Sequence, residues 1–169
     1  MMEIKTDYLS KVYYPKQFEF TVKESIATAR TMLREVGFDS IAFTGYSGSA
    51  IAYILSAELS VPLICIRKAT DKGHYVRSYG LMEGCMSAKK FIFVDDFISS
   101  GETIRNVLSM MSTYQPQAEC VGALMYAACR DNYSQSYLLN GANTFTNIKI
   151  YTNYSKAYTT QLSIPFWDV

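Results

Sequence analysis

Two adjacent carboxylates, Asp95 and Asp96, close an apolar run, and the chain then passes through Phe97 and Ile98 into Ser99-Ser100-Gly101-Glu102-Thr103. Buried acids need partners, and sugar hydroxyls suit them. Small hydroxyl residues with a glycine at a helix start suit a phosphate. The first amides of a helix have no acceptor within it, and the helix dipole places its positive end there. An isolated Ser-x-x-Thr would signify no more than Ser100 capping a helix. What points further is the order: apolar strand, two acids, two apolar residues, hydroxyl and glycine loop, helix. Successive strand residues face opposite ways, so alternation assigns the two carboxylates different jobs.

Two other segments have the residue types to meet an anion. In Thr44-Gly45-Tyr46-Ser47-Gly48-Ser49 a tight turn between strand and helix would expose backbone amides. The same residues approximate the nucleophile elbow of serine hydrolases, with Ser47 as the attacking group. That motif's last glycine is missing, however, and the only histidine, His74, precedes Asp95 where a triad needs it last. Farther on, Arg67 and Lys68 open a polar stretch containing Thr70, Asp71, Lys72, Gly73 and His74. From residue 67 to about 87 the chain reads as a long loop or a loosely held hairpin, and loops of that length are usually functional.

Alternating elements must position these segments. Apolar residues at Val22, Ile26, Ala29, Leu33 and Val36 predict a helix over 22–36, stopped by Gly37. A short strand over 40–44, a turn over 45–49 and a helix over 50–59 follow, then a second strand over 61–66. The third strand covers 91–95 and the third helix 102–113, with Ile104, Val107, Leu108 and Met111 on one face. A fourth strand is expected over 118–128 and a fifth over 148–151. Nearly continuous apolar strands alternating with helices predict an α/β, doubly wound, mainly parallel sheet of about five strands covered on both faces. Ligands of such sheets bind beyond the carboxyl ends of the strands, where the unusual residues fall.

Bulk properties narrow the classes. The 169 residues, 49% apolar, are enough for one domain with a real core. With 16 basic and 15 acidic side chains there is no overall field to hold nucleic acid or an anionic membrane. Cys65, Cys85, Cys120 and Cys129 form no Cys-x-x-Cys pair and read as buried, reduced thiols. Neither a membrane span nor a signal peptide is legible, and the expectation is a cytoplasmic protein.

The run from Val94 to Thr103 resembles the phosphoribosyl pyrophosphate signature of the type I phosphoribosyltransferase family. That pattern is an apolar strand, two acids, two apolar residues, a variable residue, Thr, Gly, a small or variable residue, and Thr. Ser100 stands at the family's Thr and keeps the hydroxyl. Glu102 stands where Gly or Lys is common and is expected to point to solvent, since turned inward it would repel a phosphate. Ser99 departs from the hypoxanthine-guanine branch, which has Asp there. The turn at 44–49 resembles the family's pyrophosphate loop. Residues 66–74 resemble the Arg-Lys opening and basic loop of the orotate and adenine branches, and Tyr75-Val76-Arg77-Ser78-Tyr79-Gly80 is similar to the segment that follows in adenine enzymes.

The resemblance implies roles. Asp95 and Asp96 would hold the ribose hydroxyls and, directly or through water, Mg²⁺. Ser99, Ser100, Gly101, Glu102 and Thr103 would wrap the 5′-phosphate, with Tyr46, Ser47 and Gly48 along the pyrophosphate. Arg67, Lys68, Lys72 and His74 would cover the leaving charge. The core would span about 22–152, with a hood over the base from 1–21, from 153–169, or from both. Trp167, Phe166, Tyr8, Tyr13, Tyr14 and Phe18 are the candidates to stack on the ring. Arg130 occupies the region where purine branches place a Lys. The implied activity is transfer of 5-phosphoribosyl to a nucleobase, a purine ahead of a pyrimidine, by a homodimer. The alternative is a regulator or sensor that binds the same sugar phosphate without turnover.

Overall fold

The computed structural model describes residues 10–67, 81–98, 101–127 and 148–153. Four helices, α1 (Ser10–Tyr13), α2 (Pro15–Glu35), α3 (Gly45–Leu59) and α4 (Glu102–Tyr114), accompany six strands. These are β1 (Ser40–Phe43), β2 (Leu63–Ile66), β3 (Met82–Gly84), β4 (Lys90–Asp95), β5 (Glu119–Met125) and β6 (Ile150–Thr152). They form one sheet in the order β3-β2-β1-β4-β5-β6, parallel throughout except for β3, which runs antiparallel to β2.

The sheet is covered on both faces, as its apolar central strands require. Ile92 and Val94 of β4 join Ile41, Phe43 and Leu124 in packing under α2 and α3. Phe91 and Phe93 join Ala42, Ile64 and Ala123 under α4, whose Ile104, Val107, Leu108 and Met111 are buried. Fully burying a side chain of this size contributes roughly 1.5–3 kcal/mol. α4 and the central strands therefore stand close to where the apolar pattern predicts them.

Three boundaries differ, each for a physical reason. The sheet has six strands where about five were expected, because residues 82–84 pair antiparallel with β2 inside the stretch read as a long loop or a loosely held hairpin. α2 begins at Pro15, seven residues before the expected start at 22. Proline is well placed at the first position of a helix, where its missing N–H has no bond to lose. The turn expected at 45–49 is the first turn of α3: Gly45 swings the chain at φ 63°, and the helix follows at once.

α2 runs antiparallel to β6. Near its end Glu35 meets Lys149 and Tyr151, whereas Thr21 and Ser25 meet Asn153, just past β6. Of the N-terminal segment expected to contribute a hood, residues 10–13 and 15–21 are helical and Tyr14 between them is extended; 1–9 and 154–169 lie outside the described residues. Cys65, Cys85 and Cys120 are in no disulfide and are only partly buried, short of the full burial expected. Burial pushes the Cys120 thiol up to about 12, far from a reactive thiolate. Cys129 lies outside the described residues. No described helix is long and apolar enough to cross a membrane.

Candidate active site at the carboxyl edge of the sheet

Asp95 ends β4 and Asp96 follows it, with only 6% and 5% of their surfaces exposed. Two carboxylates this deep are affordable only with donors. Ser47, in the first turn of α3, donates its hydroxyl to Asp95 Oδ1 at 2.8 Å, and the Asp96 amide donates to the same oxygen at 3.0 Å. The Phe97 amide donates to Asp96 Oδ1 at 2.9 Å. Burial first, and the neighbouring Asp96 charge second, push the Asp95 carboxyl up to about 7, while the Ser47 hydrogen bond pulls it down. The two acids therefore interact electrostatically at the strand end.

The β4 to α4 passage behaves differently. Gly101 takes φ 76° and stands as N-cap, and its carbonyl accepts the Arg105 amide at 3.0 Å. Only glycine adopts that conformation without strain. Behind it a cleft of about 530 Å³ runs along α4 past Glu102, Thr103 and Asn106 towards Arg67 and Thr44. Glu102 is exposed, as expected, and it also lines the cleft.

Of the other expected residues, Tyr46 is 92% exposed beside Ser47. Gly48 serves packing: a Cβ there would lie 2.9 Å from the Val94 carbonyl oxygen and 3.2 Å from Phe43 Cβ. Arg67 reaches the cleft, but its guanidinium is held by Glu83, with Nη2 2.9 Å and Nε 3.1 Å from Oε1. Lys68, Lys72, His74, Ser99, Ser100, Arg130 and Trp167 lie outside the described residues. Ser47, the hydrolase candidate, donates its hydroxyl to the Asp95 carboxylate.

One participant has no sequence motif. Tyr126, after β5, is 1% exposed and donates its hydroxyl to the Ser47 carbonyl at 2.8 Å. Burial, then the Asp96 and Asp95 charges, hold its phenol far above the usual range. The only signal in the sequence was an aromatic hydroxyl closing an otherwise apolar strand.

The PRTase-CE family model matches residues 6–163. The chain belongs to the PRTase-CE family. Among solved structures, this PRTase-CE chain is similar to the UMP synthase of Leishmania donovani, with 20% identity and a TM-score of 0.60 over 95% of this chain and 34% of that one. It thus spans about a third of that protein's length. It is also similar to adenine phosphoribosyltransferase from Saccharomyces cerevisiae, with 19% identity and a TM-score of 0.60 over 88% and 85% of the two chains. A third is orotate phosphoribosyltransferase from Francisella tularensis, with 14% identity and a TM-score of 0.58 over 85% and 69%. No curated protein matches. The PRTase-CE chain has the type I phosphoribosyltransferase fold.

Proposed function

We propose that the protein transfers the 5-phosphoribosyl group from phosphoribosyl pyrophosphate to a nucleobase and releases pyrophosphate. The observation that carries this reading is the buried acid pair at the end of β4, set between two strand-to-helix passages. In the reaction a ring nitrogen of the base bonds to the anomeric carbon as the bond to pyrophosphate breaks. The nitrogen's proton is then lost, and positive charge develops transiently on the sugar. The chain's part is to position the reactants and stabilise charge. Asp95 and Asp96 face the ribose hydroxyls, Gly101 and Thr103 lie along the 5′-phosphate, and the α3 entrance lies along the pyrophosphate. Arg67 would have to exchange Glu83 for the leaving group.

Among the described residues no cluster of three or more His, Cys, Asp or Glu could hold a metal. Two carboxylates nevertheless fit Mg²⁺, which keeps much of its water and shares substrate oxygens. When bound there it would neutralise the departing pyrophosphate. Residues 10–20, with Tyr13 and Tyr14 exposed, fit the hood over the base. A purine is favoured by the resemblance of residues 75–80 to the adenine branch, and assembly as a homodimer follows the same resemblance.

One observation favours a second reading, a sensor that binds without turnover: the Glu102 carboxylate on the cleft wall opposes a phosphate. Incubation with phosphoribosyl pyrophosphate, Mg²⁺ and each common base separates the two. Pyrophosphate release with a base supports the transferase; saturable binding without release for any base supports the sensor.

A further inference from the structure

Tyr126 has no part in the chemistry proposed above, yet it is bound into the site from two directions. Its amide donates to the Asp95 carbonyl at 3.1 Å, while its hydroxyl donates to the Ser47 carbonyl at 2.8 Å. Ser47 in turn donates its hydroxyl to Asp95 Oδ1 at 2.8 Å. The three contacts close a ring through the end of β5, the first turn of α3 and the end of β4. The residues joined are far apart in sequence, 79 positions between Tyr126 and Ser47 and 48 between Ser47 and Asp95, so only the assembled sheet makes the ring.

Ser47 and the Asp96 amide both fall on Asp95 Oδ1. A carboxylate held twice at one oxygen has one favoured rotation, and neither of these bonds uses Oδ2. The rotation depends on where Ser47 stands, and Ser47 is anchored by the Tyr126 hydroxyl. A buried phenol must satisfy its hydroxyl somewhere, but a carbonyl two hydrogen bonds away from the acid is not needed for that alone.

We propose that Tyr126 is a positioning residue, which through Ser47 sets the orientation of the Asp95 carboxylate and the seating of the α3 entrance against the acid pair. The proposal rests on the transferase reading of this site. It predicts an effect on the chemical step larger than the effect on folding or on substrate capture.

Tyr126→Phe removes one oxygen and keeps the ring, and Ser47→Ala breaks the next contact. Each is expected to lower kcat about 10- to 30-fold, with KM for phosphoribosyl pyrophosphate changed less than about threefold, because misplacement is felt mainly at the transition state. The double variant should be no worse than the more damaged single, since both act through one chain of contacts. Ser47→Thr, which restores a hydroxyl, should recover most of the loss. A wild-type kcat in Tyr126→Phe, or additive losses in the double variant, would overturn the proposal.

The ring can also be read in the free protein, through the carboxyl carbon signal of ¹³C-labelled Asp95. Tyr126→Phe should shift that signal, and an unshifted signal would overturn the proposal independently of activity. If the wild type releases no pyrophosphate with any base, the transferase reading fails, while this signal still decides whether the ring orients Asp95.

Discussion

Two strand-to-helix passages meet at the carboxyl edge of the sheet, and although both are built from glycine and hydroxyl residues they are held by different forces. From β1 into α3, Gly48 lies under β4 with no room for a Cβ, and Ser47 is bonded to Asp95. From β4 into α4, Gly101 is needed for its φ of 76°, and Glu102 and Thr103 face an open cleft. Packing fixes the first passage; backbone conformation and charge shape the second. A glycine and serine composition therefore does not reveal whether a turn spends its polar groups inward or holds them out for a ligand.

The contrast can be broken most severely between the two passages themselves. Asp96→Asn, in the link between them, should lower pyrophosphate release by more than about 100-fold, measured at saturating substrate with circular dichroism to confirm folding; near wild-type turnover would remove Asp96 from the site. Next comes the glycine pair. Gly48→Ala should cost about 1–3 kcal/mol in urea unfolding because β4 or Phe43 must move. Gly101→Ala should cost about 1 kcal/mol through backbone strain. The reverse ranking would show that the first passage is looser than described.

A smaller effect concerns Asp95. Its carboxyl is raised from 3.8 to about 7, so between those values the native protein holds a proton that the unfolded chain has lost. Stability should accordingly fall as pH rises through that window and gain nothing from this group above it. Asp95→Asn should flatten the decline and be relatively more stable at pH 8 than at pH 4; parallel urea midpoints for the two proteins across that range would contradict the assignment. Smallest is Glu102→Gln, expected to tighten phosphoribosyl pyrophosphate about two- to fivefold at low salt and less at high salt. Equal affinities at every salt concentration would place the carboxylate outside the field of the phosphate.

What was legible followed from local pattern. Phe91 to Val94 and Ile41 to Phe43 are apolar without interruption, and only a strand buried on both faces uses such runs. Ile104, Val107, Leu108 and Met111 repeat at helical spacing, so α4 was plain. The acid pair and the Gly101 entrance were legible from their order after an apolar strand. What escaped depends on contacts distant in sequence. Glu83 and Gly84 are exposed, so β3 exists only through its pairing with β2. Lys16, Gln17 and Glu19 break any apolar stripe in the first turns of α2, where Phe18 packs against the core while the residues on either side of it are exposed. The helix at 45–49 looked like a turn because Gly48 serves close packing. The Arg67 to Glu83 pair and the Tyr126 to Ser47 bond had no local signal.

The account rests on the claim that this edge of the sheet holds phosphoribosyl pyrophosphate. Calorimetric titration of the whole chain with that compound and Mg²⁺ tests it most directly, with Asp96→Asn as the partner measurement. The expected result is saturable one-site binding to the wild type that is weakened at least about tenfold in the variant. No heat of binding at millimolar ligand, or equal binding by the two proteins, would contradict it.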